Sequence, residues 1–92
     1  EKEPGKLDFV DTDWLVKEAA ARGARLILAV GRRLPRWPEC HEPIWVKDKE
    51  QREKDELLLK YLEGVVEHYK NEPAVAAWQV ENEPFFLGAG AC

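Results

Sequence analysis

From about Asp48 to Lys70 the apolar side chains Leu57, Leu58, Tyr61, Leu62, Val65, Val66 and Tyr69 recur as i, i+1, i+4, i+5, a spacing that gathers them on one face of a helix. This is the most regular pattern in the chain. Leu26 to Val30, entered through Ala24 and Arg25, is apolar in succession, which fits a parallel strand covered on both sides better than a strand with one wet face. Ala74 to Val80 follows Pro73 and reads as a second strand. An earlier helix is expected to begin at Asp11 or Thr12, whose side-chain oxygens suit a free backbone N–H, with Asp13 near the positive end of the dipole. Trp14, Leu15, Ala19 and the stem of Arg22 form its expected apolar face, and Gly23 ends it.

Between these elements lie turns and one long loop. Pro4-Gly5 marks a turn in the first ten residues, where Leu7 and Phe9 are the apolar anchors. Arg32 through Val46 carries prolines at 35, 38 and 43, which exclude a helix until about Lys47. The length of this loop suggests a function or disorder, and Trp37 and Trp45 argue against disorder. Lys47 to Glu56 mixes both charge signs and reads as a solvated face or a frayed first turn rather than a nucleic-acid patch; Asn71 is the expected cap of the long helix, which Pro73 stops from continuing. The order of helix, strand, long loop, long helix, strand predicts an α/β fold with a parallel sheet and right-handed crossovers.

Composition sets limits on this picture. Of 92 residues, 45% are apolar and 35% charged, the balance of one small folded domain. The longest apolar run is far short of the roughly 20 residues that span a bilayer, so no membrane partner is expected. The start, Glu1-Lys2-Glu3-Pro4-Gly5, has neither the basic opening nor the apolar core of a signal peptide, and without Met it suggests a trimmed chain or a segment of a longer protein. A net charge of −4, from 14 Lys and Arg against 18 Asp and Glu, disfavours nucleic acid, because phosphates need a basic surface. Arg32, Arg33 and Arg36 are the local exception. Cys40 and Cys92 lack Cys-x-x-Cys spacing; two thiols are the default reading, a Cys40–Cys92 disulfide the next, and a metal shared with His41 the third, since zinc needs about four ligands. The compartment stays open, and no cofactor is implied.

Candidate chemistry collects where the second strand stops. Trp78-Gln79-Val80 runs into Glu81-Asn82-Glu83-Pro84 without a spacer, so an apolar strand delivers two carboxylates and an amide at its C-terminal end, where parallel α/β folds build their sites. Asn-Glu-Pro occurs twice. At 71–73 it lies between helix and strand, where Asn caps and Pro breaks; at 82–84 it lies at the opposite strand end, and this copy is the catalytic candidate. A period of two places Gln79, Glu81 and Glu83 on one side and Trp78 and Val80 on the other, unless a bulge resets the count. Glu81 has two readings, a carboxylate that raises the pKa of Glu83 or a structural partner of Arg32 or Arg33. Those arginines, directly after the first strand, reach substrate, hold a carboxylate or form a structural ion pair. Trp37 either presents its aromatic face to a ligand or packs its loop. Trp45 reads as packing, and His68, beside the helical stripe, as a boundary residue without a role.

Trp78-Gln79-Val80-Glu81-Asn82-Glu83-Pro84 resembles the end of the fourth strand in clan A glycoside hydrolases, the (β/α)8 TIM-barrel group that includes cellulase-like family 5 and the family 42 β-galactosidases. Gly5-Lys6-Leu7-Asp8-Phe9 with Asp13-Trp14-Leu15 is similar to the loop and helix after the second strand, Arg25 to Gly31 to the third strand, and Pro35-Arg36-Trp37-Pro38 to its substrate-facing loop. The resemblance implies that residues 1–92 are an incomplete domain, a partial barrel running from the second helix to the fourth strand. It implies a retaining hydrolase of O-glycosidic bonds with a carbohydrate substrate, in which Glu83 is the general acid/base and Asn82 holds the sugar 2-hydroxyl. One carboxyl group protonates the leaving oxygen and then activates water, while a second, about 5 Å away, is the nucleophile. The nucleophile is expected after the seventh strand, which this chain does not reach.

A full barrel takes about 250 residues. The isolated chain is therefore expected to be inactive and to need partners, either the remaining barrel strands or copies of itself, because two strands cannot shield both their faces or pair their outer edges. The alternatives are a catalytically inactive, self-associating fragment and a carbohydrate-binding scaffold that uses Trp37 and the loops without hydrolysis.

Overall fold

The computed structural model describes residues 1–35 and 41–85; Arg36, Trp37, Cys40 and Cys92, and with them the stacking and disulfide readings, lie outside the described residues. The chain is a mixed α/β structure of two helices and two parallel strands. Helix α1 spans Val10–Ala21, strand β1 Leu26–Val30, a 3-10 turn Ile44–Val46, helix α2 Gln51–Tyr69 and strand β2 Val75–Val80.

Helix α1 begins before the expected Asp11 or Thr12. Asp8 supplies the oxygen instead, its Oδ1 accepting the Val10 N–H at 3.0 Å, and Asp11 and Asp13 then occupy the first turn, where negative charge suits the dipole. Gly23 does follow the helix end in a left-handed conformation, φ 67°. The expected apolar face needs correcting: Val16 and Ala19 are the buried residues, whereas Trp14 is 64% exposed and Leu15 also faces solvent. Leu7 and Phe9 already pack against the core, so the chain enters the helix from the inside and turns Val16 and Ala19, not Trp14, toward it.

The stripe on α2 is largely as its spacing requires. Val65 and Tyr69 are buried, Tyr61 and Leu62 pack beside them, and Val66 faces outward. Two boundaries differ from expectation. Ile44–Val46 forms one 3-10 turn within the stretch expected to be irregular, since Pro43 can precede such a turn although it cannot continue a helix. At the other end Lys70, not Asn71, is the cap, and Glu72 organises the turn: its N–H donates to the Tyr69 carbonyl at 3.0 Å and its Oε1 accepts the Ala74 N–H at 3.2 Å.

The strands pair in parallel, with Leu28 opposite Trp78, Ala29 opposite Gln79 and Val30 opposite Val80. The register jumps from Leu26–Val75 to Ile27–Ala77, leaving Ala76 as the extra residue of a bulge. Leu26, Leu28, Val30, Val75 and Trp78 join the cluster of Val16, Val65, Tyr69 and Ala74, so the helices cover one face of the sheet. The other face is open. Ile27 is 69% exposed, and Ala77 and Gln79 lie uncovered on the same side. The expectation that β1 is covered on both sides is thus corrected to one, because no element among the described residues packs on the second face. Val80 is 60% exposed while its neighbour Val30 is 3% exposed; no described helix follows β2 to cover it.

The helices also touch at unlike ends. Asp13 in the first turn of α1 accepts the Tyr69 hydroxyl at 2.7 Å and lies 2.8 Å from His68 Nε2, both in the last turn of α2. Phe9 stacks on the His68 ring at 3.8 Å between centroids. The Tyr69 hydrogen bond, then His68, hold the Asp13 carboxyl below its ordinary range. Burial first, and then Asp13, push the Tyr69 hydroxyl above its ordinary value. His68, without a role on sequence grounds, is half of this clasp.

Candidate functional site

The loop after β2 is bound to the loop after β1 by a series of hydrogen bonds, most of them to backbone groups. Glu81 continues the ladder, its N–H donating to the Val30 carbonyl at 2.8 Å, and the Asn82 N–H donates to the Arg33 carbonyl at 2.9 Å. Backbone φ then turns positive at Glu81 (62°) and Glu83 (46°), a conformation that costs L residues energy and that concentrates where surrounding contacts impose it. These turns end the period of two, so Gln79, Glu81 and Glu83 do not continue as one strand face. Trp78 does pack toward the helices and Gln79 does lie on the open side.

The contact that imposes the turn is made by Glu81. Its Oε1 accepts the Arg32 N–H at 2.9 Å and its Oε2 the Arg33 N–H at 2.7 Å. Gly31 is what lets the carboxylate in: a Cβ there would lie 2.5 Å from the Glu81 carboxyl carbon, and Gly31 has φ 129°. Of the two readings of Glu81, this geometry supplies the structural one, although the groups bonded are backbone amides rather than guanidinium groups. Charge-assisted bonds of this kind are short and strong, and they tie the ends of the two strands together.

Arg33 is buried, 8% exposed, and its Nη1 donates to the Glu83 carbonyl at 2.9 Å. It therefore supports the backbone of Glu83. Arg32 takes another direction, toward Glu42 at 3.9 Å and Asp55 at 3.8 Å near the start of α2, so the two consecutive arginines do not converge on one ligand. Asn82 is half-buried, and its Oδ1 accepts the Gln79 Nε2 at 3.0 Å. The amide nitrogen of Asn82 has no acceptor among the described residues and keeps its two donor protons for another group. Glu83 is exposed, and among the described residues its carboxylate makes no hydrogen bond or ion pair.

The result is a carboxylate and an amide donor side by side, on a loop whose neighbouring polar groups are already engaged. A carboxyl group that must keep its proton near neutral pH needs low-polarity walls or a second carboxylate close by. The described residues place neither wall around Glu83. Trp45 has a packing role with one polar contact, its Nε1 donating to the Glu1 carbonyl at 3.2 Å. His41 is exposed, its N–H donating to the Arg32 carbonyl at 2.9 Å, and among the described residues no group of three or more acidic, His or Cys side chains is placed to hold a metal. No helix among the described residues is long and apolar enough to cross a membrane.

Sequence reasoning gave no role to Glu42 and Lys54, which form a chain of ion pairs with Arg32. Nothing in their spacing announces this, because Arg32 and Lys54 meet over Glu42 only through the fold. Compared with family models, with curated proteins and with solved structures, the chain matches none.

Proposed function

We propose that this chain is part of a retaining glycoside hydrolase barrel, from the second helix to the fourth strand, and that it contributes the general acid/base Glu83 and the substrate-holding Asn82. The supporting observation is the state of Glu83: at the C-terminal end of a parallel strand, its carboxylate has no partner among the described residues, while Glu81, Arg33 and Gln79 are engaged in holding the loop. In this reading Glu83 protonates the leaving glycosidic oxygen and then, as carboxylate, takes a proton from water. Asn82, its oxygen occupied by Gln79, donates its amide N–H to the sugar 2-hydroxyl. A second carboxylate about 5 Å away, from a further strand, is the nucleophile. Arg33 acts as a positioning residue through the Glu83 backbone.

The test is to combine the chain with one that supplies the complementary strands and to measure hydrolysis of a glycoside with a poor leaving group. Glu83→Gln is expected to lower the rate by about 10²–10⁴-fold. Unchanged hydrolysis would remove Glu83 from the mechanism.

A second reading, a self-associating fragment without activity, draws on the bare sheet face. Ile27, Ala77 and Gln79 are exposed on that face, and each strand has an outer edge unpaired among the described residues, a combination that invites pairing with another chain. Sedimentation separates the two: a folded monomer at high concentration speaks against self-association, and a defined oligomer without activity speaks for it.

A further inference from the structure

Gln79 and Asn82 stand three residues apart at the end of β2, and in an extended strand that separation is about 10 Å with the side chains on opposite faces. They meet instead at 3.0 Å, Gln79 Nε2 donating to Asn82 Oδ1. The left-handed backbone of Glu81, φ 62°, folds the loop back over the strand. The turn is held there by the Glu81 carboxylate on the Arg32 and Arg33 amides and by the Asn82 N–H on the Arg33 carbonyl. Asn82 thus has its backbone and one end of its side chain fixed. Gln79 lies opposite Ala29 in the register, whose methyl offers its amide no partner, and among the described residues Asn82 is the only group its side chain bonds.

An amide side chain has a donor end and an acceptor end. With Oδ1 taken, the nitrogen of Asn82 is the end left for a ligand, and its N–H groups suit an acceptor and oppose a group that can only donate. In a glycoside the 2-hydroxyl oxygen accepts, whereas a protonated 2-amine has three donors and no lone pair. Glu83 does not offset that opposition in the first step, when as general acid it carries its proton and no charge.

We propose that Gln79 is a positioning residue that sets specificity at this site: by holding the Asn82 carbonyl it restricts the substrate to glycosides whose 2-substituent accepts a hydrogen bond, and it excludes those with a 2-ammonium group. This rests on the hydrolase reading of Glu83 and Asn82.

Two measurements test it. In the full chain, NMR follows exchange of the side-chain amide protons with water. Those of Gln79 exchange more slowly than those of Asn82, and Gln79→Glu, which can only accept, turns Asn82 around and slows its protons instead. Equal exchange in the wild type, or slower exchange at Asn82, overturns the assignment whatever the activity. With complementary strands supplied, kcat/KM for phenyl glucoside exceeds that for phenyl 2-amino-2-deoxyglucoside about tenfold or more, at a pH where the amine is protonated. Gln79→Met keeps the reach of the side chain but holds no carbonyl, so Asn82 turns freely and that ratio falls about threefold or more. A purely structural role would lower both rates alike and leave the ratio unchanged. A ratio untouched by Gln79→Met, with hydrolysis still lost in Glu83→Gln, overturns the specificity while the hydrolase reading stands. Absent hydrolysis, or hydrolysis indifferent to Glu83→Gln, removes that reading and the sugar preference with it.

Discussion

The same tripeptide, Asn-Glu-Pro, stands at both ends of β2, and its two copies are used differently. At 71–73 the carboxylate of Glu72 folds back onto the Ala74 N–H while its backbone N–H bonds the Tyr69 carbonyl; the residue closes its own turn. At 82–84 the structural work has passed to the neighbours, Glu81 through its carboxylate and Arg33 through its guanidinium, and the Glu83 carboxylate faces solvent. Three identical residues therefore carry no function by themselves. A carboxylate engaged by its own turn is not free for chemistry, and one whose loop is held by others is.

The largest expected difference between the copies is catalytic. On the proposed hydrolase reading, Glu83→Gln is expected to lower hydrolysis by the chain combined with its complementary strands about 10²–10⁴-fold, whereas Glu72→Gln is expected to leave it unchanged; equal effects would erase the distinction. Next comes the support of the second copy. Gly31→Ala forces a Cβ into the Glu81 carboxylate at a positive φ and is expected to cost about 2–4 kcal/mol in urea unfolding. Glu81→Ala leaves the Arg32 and Arg33 amides without their acceptor and is expected to cost about 1–3 kcal/mol. If Gly31→Ala is harmless on its own, the packing of Glu81 against Gly31 is not what holds the strand ends together.

Smaller still is the contrast in stability between the two glutamates themselves. Glu72→Ala loses one turn hydrogen bond, about 0.5–1.5 kcal/mol, while Glu83→Ala stays within about 0.5 kcal/mol of wild type. The reverse order would mean that Glu83 is the structural copy. The slightest effect concerns the clasp between α1 and α2. Asp13 has a folded pKa below its unfolded value, so its contribution is present above the unfolded pKa and is lost as pH falls through the folded one. Asp13→Asn should flatten stability across that acid range, measured by thermal unfolding at stepped pH. Tyr69, raised instead, loses its contribution as pH climbs above about 10.

Much of the secondary structure was legible in the residues. The i, i+1, i+4, i+5 stripe marks α2 because a helix returns to the same face every 3.6 residues, and the unbroken apolar run of Leu26 to Val30 marks a strand in a parallel pair. Trp14 and Leu15 show where such reading stops. Both are apolar, yet the path of Leu7 and Phe9 into the core turns α1 so that they face outward, and rotation about a helix axis is a tertiary property. Glu81 shows it again: its bonds reach across more than 45 residues, to Arg32 and Arg33, at a distance in sequence over which no local pattern operates.

Local preference and periodicity act over a turn or a strand, and so the residues alone determined two helices, two strands, their order and the end of β2 at which polar chemistry would gather. Which carboxylate holds the loop and which is left free, which way each arginine points, and which sheet face stays bare were decided only when β1 and β2 paired. Each depends on groups far apart in the chain competing for the same hydrogen bonds and the same apolar cover.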